Sequence, residues 1–552
     1  MRKIFKNCIG GISNCCSRFR SVGTPTEAGP WLVSSPTTWR CDNLKRNHCI
    51  SVSMLMIIAL LAQQAKGQLS LAGQIRTRTE FRDGFGTLQP KANDPAVFTS
   101  QRSRLTFIYK TGRVVFQTSL QDVRVWGQDA STISNADGNK LALHEAWAEI
   151  ALANKKDTSF KQSAVDYFGV KIGRQELLYD DSRLLGNLDW LQQARRHDAI
   201  VFKLLHNGWQ ADLGLAFNQH TDAFNYNGTY YTPANVLPYV KDSKGNLAIT
   251  PAAFIPLSNP AGLSAKTGVP ALQVMPSTNG LYQDYKSLQF LYIAKTFNKT
   301  KLTGLVVADH FGRYGTDSVR NIAGTDTGYI YGRRFNKKGV SSRITTGLLL
   351  NSILDKKKAL VLTAGFYYQG GKDRDAQKLS AYTSTLALAY TKNKFTYTIG
   401  WDYVSGNDAF SGASTNHRFD PLYGTPHKFW GTMDYFYVGT GAPTGGLSDP
   451  FAKIKYTSTK KRFSAALDYH YFSLANNQQD INGRAIKKYL GSEFDLVMNY
   501  ALNKITMIEY GVSLMAATKS MEYAKGITPN TAKLTGTWSY LMIAIKPEFL
   551  FK

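Results

Sequence analysis

The sequence predicts an all-β fold, a single antiparallel transmembrane β-barrel of about 18 strands with short periplasmic turns and long extracellular loops. Three observations carry this expectation. The 552 residues include 30 Tyr, 29 Phe and 46 Gly, a composition suited to many strands joined by turns. Beyond residue 67 no apolar run approaches the roughly 18 residues of a spanning helix, while side-chain character alternates with period two over segments of roughly ten to fourteen residues. The connections between those segments, finally, alternate between short and long.

The first segment, LSLAGQIRTRTEFR, puts Leu69, Leu71, Ile75 and Phe81 on one face and Gln74, Arg76, Arg78, Glu80 and Arg82 on the other. In FTYTIGWDY, Phe395, Tyr397, Ile399, Trp401 and Tyr403 oppose Thr396, Thr398 and Asp402; in LGSEFDLVMNY, Phe494, Leu496, Met498 and Tyr500 alternate with Glu493, Asp495 and Asn499. A soluble sandwich also alternates, but it rarely sets three arginines opposite its apolar face on one strand. Short turns are expected at 110–112, 206–208, 298–300, 354–358, 391–394, 458–461 and 502–504, with a longer one at 154–165. Long connections are expected at 83–96, 127–141, 175–197, 220–283, 314–339, 370–379, 405–449, 476–486 and 518–536. GYIYGRRF, 328–335, is placed in a loop, because counting it as a strand would put the 354–358 turn on the wrong side. Loop 220–283 holds seven of the 18 prolines and is expected to be strand-free and able to fold over the mouth.

All five cysteines fall at or before Cys49, so the main body carries no disulfide or thiol chemistry. Lys45 and Arg46 precede an apolar run from Ile50 to Ala62, and Ala65-Lys66-Gly67 supplies small residues at cleavage spacing. Residues 45–67 therefore read as a secretory signal cut before Gln68, and 1–44 as an anomalous extension that fits a start placed too far upstream. The nine Lys and Arg and two acids of residues 1–67 leave 57 basic and 37 acidic groups for residues 68–552, a net of +20. In an exported protein this excess points to polyanions such as acidic glycans or lipopolysaccharide phosphates rather than nucleic acid. The barrel itself would lie in outer-membrane lipid, delivered by the barrel-assembly machinery that reads terminal aromatics such as Phe549 and Phe551.

Arg76, Arg78 and Arg82 share the inferred lumen face of the first strand, and Arg102 and Arg104 have the matching parity on the second. Arginine stays charged at any physiological pH and pairs with carboxylates through a planar fork, so these five side chains are candidate pore-lining residues for an anionic solute. Glu80, Glu493 and Asp495 are the carboxylates expected to hold them. The charged stretch GRQELLYDDSRLLG, 173–186, leads into Trp190 and ARRHDA. It supplies Arg174 and Arg183 as further ligand-facing candidates, Glu176, Asp180, Asp181 and Asp198 as internal partners, and Trp190 as a packing anchor. The alternatives are the hydrated wall of any wide barrel and an outer loop tied together by its own ion pairs. His144, His310, His427 and His470 are scattered and no HExxH or GxSxG occurs, so no catalytic residue, cofactor or defined metal site is expected. Aspartates in outer loops such as LQDVRVWGQDAS, 120–131, could meet calcium but lack a coordination spacing.

QDVRVWG at 121–127, GRQELLYDDSRLLG at 173–186, GWDYVSGND at 400–408, FDPLYGTPHKFWGTMDYFY at 419–437 and LGSEFDL at 490–496, in this order, resemble the alginate-export family of outer-membrane β-barrels. The resemblance implies a monomeric 18-stranded channel whose basic lining conducts a polyuronate. The expected function is thus passive diffusion of an anionic glycan or other anionic solute. A general or small-solute porin and a structural or adhesion barrel plugged by loop 220–283 are the alternatives.

Overall fold

The computed structural model describes residues 67–127, 141–157, 163–218, 236–271, 285–323, 326–355, 357, 359–438 and 443–551. Residues 1–66, with the expected extension and nearly all of the expected leader, lie outside the described residues, as do 128–131 of the aspartate-containing outer loop.

Eighteen wall strands follow chain order, every neighbouring pair antiparallel. The first seven are β1 (Gln68–Asp83), β2 (Ala96–Thr111), β3 (Val114–Val125), β4 (Leu141–Asn154), β5 (Tyr167–Gln175), β6 (His197–His206) and β7 (Trp209–Phe217). Four short strands then lie in the next outer connection: β8 (Tyr239–Lys241), β9 (Leu247–Ile249), β10 (Phe254–Ser258) and β11 (Val269–Pro270). The wall resumes with β12 (Ser287–Phe297), β13 (Thr300–Ala323), β14 (Asp326–Ile353), β15 (Leu360–Lys372), β16 (Lys378–Lys392), β17 (Phe395–Val404) and β18 (Leu447–Thr457). It ends with β19 (Phe463–Ser473), β20 (Tyr489–Ala501), β21 (Thr506–Ala517) and β22 (Thr535–Ile545). β22 pairs with β1 from Ile75↔Ile545 to Asp83↔Thr537, and β23 (Glu548–Phe551) extends the seam to Leu69↔Phe551. Closure leaves no unpaired edge towards lipid, which could not satisfy its backbone groups.

The alternating pattern decides which face meets lipid. Phe395, Tyr397, Ile399 and Trp401 are 41–64% exposed on the outside of β17, whereas Asp402 is 1% exposed on the inside. Each expected short turn falls between the wall strands anticipated for it.

Three outer connections differ from expectation. GYIYGRRF lies within β14, paired with β13 through contacts such as Arg320↔Tyr329. The strand count is unchanged because both partners of one hairpin extend past the wall together. Loop 220–283 is not strand-free over its described part: β8 pairs with β9, and β10 pairs with β14 through Phe254↔Arg334. Phe254, Val240, Ala248 and Ile330 bury a small apolar cluster there, which gives the short strands a reason to form. The link between β15 and β16 shrinks to 373–377, since the Gly370-Gly371 pair continues the ladder.

The main apolar core sits inside the barrel. Leu177, Leu184 and Leu185 from the β5–β6 connection meet Phe419, Leu422, Trp430, Met433 and Phe436 from the β17–β18 connection. Both groups pack on inward wall residues that include Phe290, Tyr292, Val307, Phe311, Leu349, Phe472, Trp538 and Tyr540.

In a background without the native cysteines, Ile481→Cys, at a 79% exposed position between β19 and β20, is expected to react with an impermeant maleimide on intact cells. Lys299→Cys, in the β12–β13 turn, is expected to react only after permeabilisation; the opposite labelling would reverse the sides.

Candidate functional site

Arg76 of β1 and Arg102 of β2 stand directly opposite each other in the ladder, and the β5–β6 connection, 176–196, descends to meet them. Arg102 is fully buried and grips Asp189 with both terminal nitrogens, at 2.7 and 3.1 Å. Arg76 donates to Gln192 Oε1 (3.0 Å), Asp189 Oδ2 (3.3 Å) and the Trp190 carbonyl (3.2 Å). Arg78 donates to Glu80 (2.8 Å) and to the Trp190 carbonyl (2.8 Å), with its guanidinium 4.2 Å over the Trp190 ring. Glu80 is buried; it also accepts from Arg82 (2.7 Å) and Trp538 Nε1 (3.0 Å). Arg104 donates to Gln121 (2.6 Å) and lies 3.8 Å from Asp189. Burial opposes charge on Asp189, but the Arg102 hydrogen bonds and the charges of Arg102, Arg76 and Arg104 hold its carboxyl below the usual range.

The same connection is tied to the opposite wall. Asp180 accepts from Tyr292 and Thr303, both at 2.8 Å. Arg183 lies 3.3 Å from both Asp402 and Asp181, with its guanidinium 4.0 Å over Phe429. Glu176 meets His144 Nε2 (2.9 Å) and accepts from Asn187 (2.7 Å). Arg174 is placed differently from the expectation. It shares the outward parity of exposed Ile172 and pairs with Asp198 at 2.8 Å on the outer surface, so it is not directed into the lumen.

The second inward segment was not anticipated. Residues 405–438 of the connection from β17 to β18 cross the barrel from Asp420, held by Arg343 (2.8 Å), to Met433, whose N–H donates to Glu493 (2.8 Å). Thr432 donates its hydroxyl to Asp495 at 2.6 Å, so Glu493 and Asp495 anchor this segment rather than pairing with the β1 and β2 arginines. Lys525, in the connection before β22, donates to the carbonyls of Gly86 (3.2 Å) and Tyr435, and burial pushes its ammonium down to about 7.

The two segments join at the centre. Tyr423 N–H donates to the Leu184 carbonyl and Gly186 N–H to the Tyr423 carbonyl, both at 2.9 Å. Leu188 N–H donates to Thr425 Oγ1 (3.0 Å), and Trp190 stacks on His427 at 4.4 Å. Gly424 permits this approach, since a Cβ there would lie 1.9 Å from the Arg183 carbonyl oxygen. Of the fourteen non-glycine residues with positive φ among the described residues, seven lie in these segments: Asp180, Ser182, Leu188, Ala194, Leu422, Asp434 and Tyr437. Backbone of that kind persists only where packing over-determines it, and it concentrates at clamps and switches. The result is a septum across the lumen.

Beneath the septum, two adjoining cavities of about 630 and 560 Å³ share Tyr167, Leu205 and Gln210 along the inner wall. Lys203 is paired with Glu149 (2.7 Å) and Lys301 lies 3.7 Å from Asp180. Lys171 lies 3.9 Å over Trp147 on the inner wall, whereas Lys295, 4.6 Å over Trp209, has the outward parity of Leu291 and Ile293; neither has a carboxylate within 4.0 Å among the described residues.

A closed 18-stranded antiparallel barrel with a charged, loop-filled lumen defines an outer-membrane β-barrel. Residues 67–217, β1 through β7, match the family model described as Alginate export. None of the curated proteins matches the sequence. Among solved structures, OccAB4 of Acinetobacter baumannii is 12% identical, over 88% of this chain and 99% of that one, with a TM-score of 0.49. OpdK of Pseudomonas aeruginosa, solved with vanillate, is 10% identical over 87% and 99%, with a TM-score of 0.48. OccK9 (OpdG) of the same organism is 12% identical over 88% and 99%, with a TM-score of 0.47.

Two outcomes follow for the septum. A carboxylate with a depressed folded pKa stabilises the fold above its unfolded pKa, and that contribution disappears as pH falls through the folded value. Asp189→Asn should therefore lower the thermal unfolding midpoint at pH 5 to 8, while the gap from the parent narrows below about pH 4. Hydrogen bonds to charged groups contribute about 1.5–3 kcal/mol, and because Asp189 is 39% exposed the lower end, about 1–2 kcal/mol, is expected. Gly424→Val should separate the two segments and raise single-channel conductance, with the barrel still heat-modifiable on gels; unchanged conductance would show that their junction does not limit flow.

Proposed function

We propose that this barrel is a passive outer-membrane channel for an anionic solute, either a polyuronate-like glycan or a smaller anion, running along the inner wall of β4 to β7, β12 and β13. The observation that carries this reading is the continuous pair of cavities under the septum, with Lys171 on the inner wall having no carboxylate within 4.0 Å among the described residues. The alginate-export match supports it, since β4 to β7 fall inside the matched segment. A pore of this kind needs fixed positive charge that replaces hydration yet holds each unit weakly enough to release it. On this reading Arg76, Arg78 and Arg102 act through the septum they hold, whereas Arg82 and Arg104, which remain partly exposed, keep a more direct claim on solute.

A second reading, a plugged structural barrel, is favoured by the apolar core that the two segments build across the lumen. Its plug would come from 176–196 and 405–438, not from loop 220–283.

Planar-bilayer recording separates the two. A channel should show discrete conductance with a reversal potential favouring anions in a salt gradient, reduced by uronate oligomers. Lys171→Ala should lower the anion-to-cation permeability ratio at low salt, where screening is weakest, and leave assembly intact. Absence of conductance in the parent would favour the plug. A reversal potential unmoved by this replacement would remove Lys171 from the path.

A further inference from the structure

β4 is irregular near its outer end. Ser119 of β3 pairs with Glu145 and Leu120 with Leu143, which leaves His144 as the extra residue of a bulge. Bulges re-aim side chains, and this one sends two successive residues, His144 and Glu145, inward. Glu176, the first residue of the segment that descends into the lumen, comes to the same place. The ligand-type atoms of all three lie within 4.8 Å of one another, and His144 Nε2 is 2.9 Å from Glu176 Oε1.

Both carboxylates are oriented by neighbours. Glu145 accepts from Trp147 Nε1 (3.0 Å) on one oxygen and from Gln117 Nε2 (2.8 Å) on the other. Glu176 accepts from Asn187 Nδ2 (2.7 Å) on the oxygen turned away from His144. Donors of this sort fix ligand geometry in metal sites. The His144 side chain is wholly buried, and its Nδ1 has no hydrogen-bond partner among the described residues. Glu176 also lines the larger cavity, which supplies an access route for an ion.

We propose that His144, Glu145 and Glu176 form a binding site for a divalent transition-metal ion of the zinc class. One imidazole and two carboxylates, with a fourth position left for water, match the ligand number and type that Zn2+ accepts. Calcium fits poorly, because it takes six to eight oxygen ligands and avoids imidazole. The ion would replace a single His144–Glu176 contact by bonds to all three side chains, fastening the start of the septum to the wall at β4. This holds whatever solute the barrel passes.

The test uses the full-length barrel purified in detergent and stripped with chelator. Zn2+ titrated calorimetrically should bind one ion per chain and raise the heat-modification temperature, and Co2+ should give the visible d–d bands of a low-coordinate site. Glu176→Gln and His144→Ala should each weaken Zn2+ binding at least about tenfold and abolish the Co2+ bands. Absence of saturable Zn2+ binding or of Co2+ bands in the parent would overturn the assignment without relying on any variant that misfolds. Ca2+ or Mg2+ binding as tight as Zn2+ would overturn it equally.

Discussion

Two guanidiniums directly opposite each other on neighbouring strands are in the position where like charges repel most, and Arg76 and Arg102 occupy that position in the middle of β1 and β2. Asp189 resolves the conflict. It comes from more than 80 residues away in sequence and accepts from both, while the Trp190 carbonyl takes further donors from Arg76 and Arg78. Everything above and below this junction is arranged by it. An 18-stranded wall encloses more space than its own side chains fill, so material inside must come from connections, and a connection stays inside only if its polar backbone finds partners there. The wall arginines supply those partners on one side of the barrel. Asp402, Asp309 with Arg343, Glu493 and Asp495 supply them on the other.

The barrel was legible in the sequence because lipid imposes one rule on every strand, and Phe395 to Trp401 or Phe494 to Tyr500 obey it without local exceptions. Turn positions were legible for a similar reason, since a short periplasmic link leaves few residues to place. The septum was harder to see because it depends on long-range pairing that no short window contains: Arg102 and Asp189 are 87 residues apart, Arg183 and Thr385 are 202 apart. A signal was nevertheless present in SLQFLYIAKTF, β12. Leu291 and Ile293 face outward, and Leu288, Phe290, Tyr292 and Ala294 are apolar as well and buried inside. A strand apolar on both faces is one covered on both faces, so a lumen that meets Phe290 and Tyr292 cannot be simply water-filled there. Arg174 was misread because it was counted with the inward loop, whereas the ladder of β5 runs on without a shift to Gln175, so regular alternation keeps Arg174 outward beside Asp198.

The attachments of the septum differ in kind, and this bears on how it could move. The β1–β2 side is ionic and partly open to water through Asp189. The centre is apolar and backbone-bonded between Leu184–Gly186 and Tyr423–Thr425, with the left-handed Leu188 and Leu422 N–H groups donating to Thr425 Oγ1 and Asp420 Oδ1. Such a structure has discrete arrangements rather than continuous ones, because packed cores are bistable. Separation at the centre would release backbone strain at Leu188 and Leu422 while exposing apolar surface, a gain and a cost that oppose each other. The ionic side, by contrast, responds to pH and salt without disturbing the core. A change in solute or ionic conditions therefore acts first at Asp189, and the apolar junction decides whether the response spreads.

The cations of the lumen divide by chemistry. Arginine's rigid fork makes two or three fixed hydrogen bonds at once, and it is used where a segment must be held: Arg76, Arg78, Arg102, Arg183 and Arg343 are all buried against inward chain or wall carboxylates. Lysine is a compact point charge on a flexible stem, and Lys171, which has no carboxylate within 4.0 Å among the described residues, borders the larger cavity beneath the septum. A channel that met its anion with immobilised forks would bind each carboxylate bidentately and release it slowly. One that meets it with a mobile ammonium group resting on Trp147 pays less to let go, because the ring face receives the ammonium again when the anion leaves. The arginine-rich wall and a permeable path are thus compatible in one barrel, since the arginines are spent on holding the septum and a weaker, reversible charge is left along the wall where solute would travel.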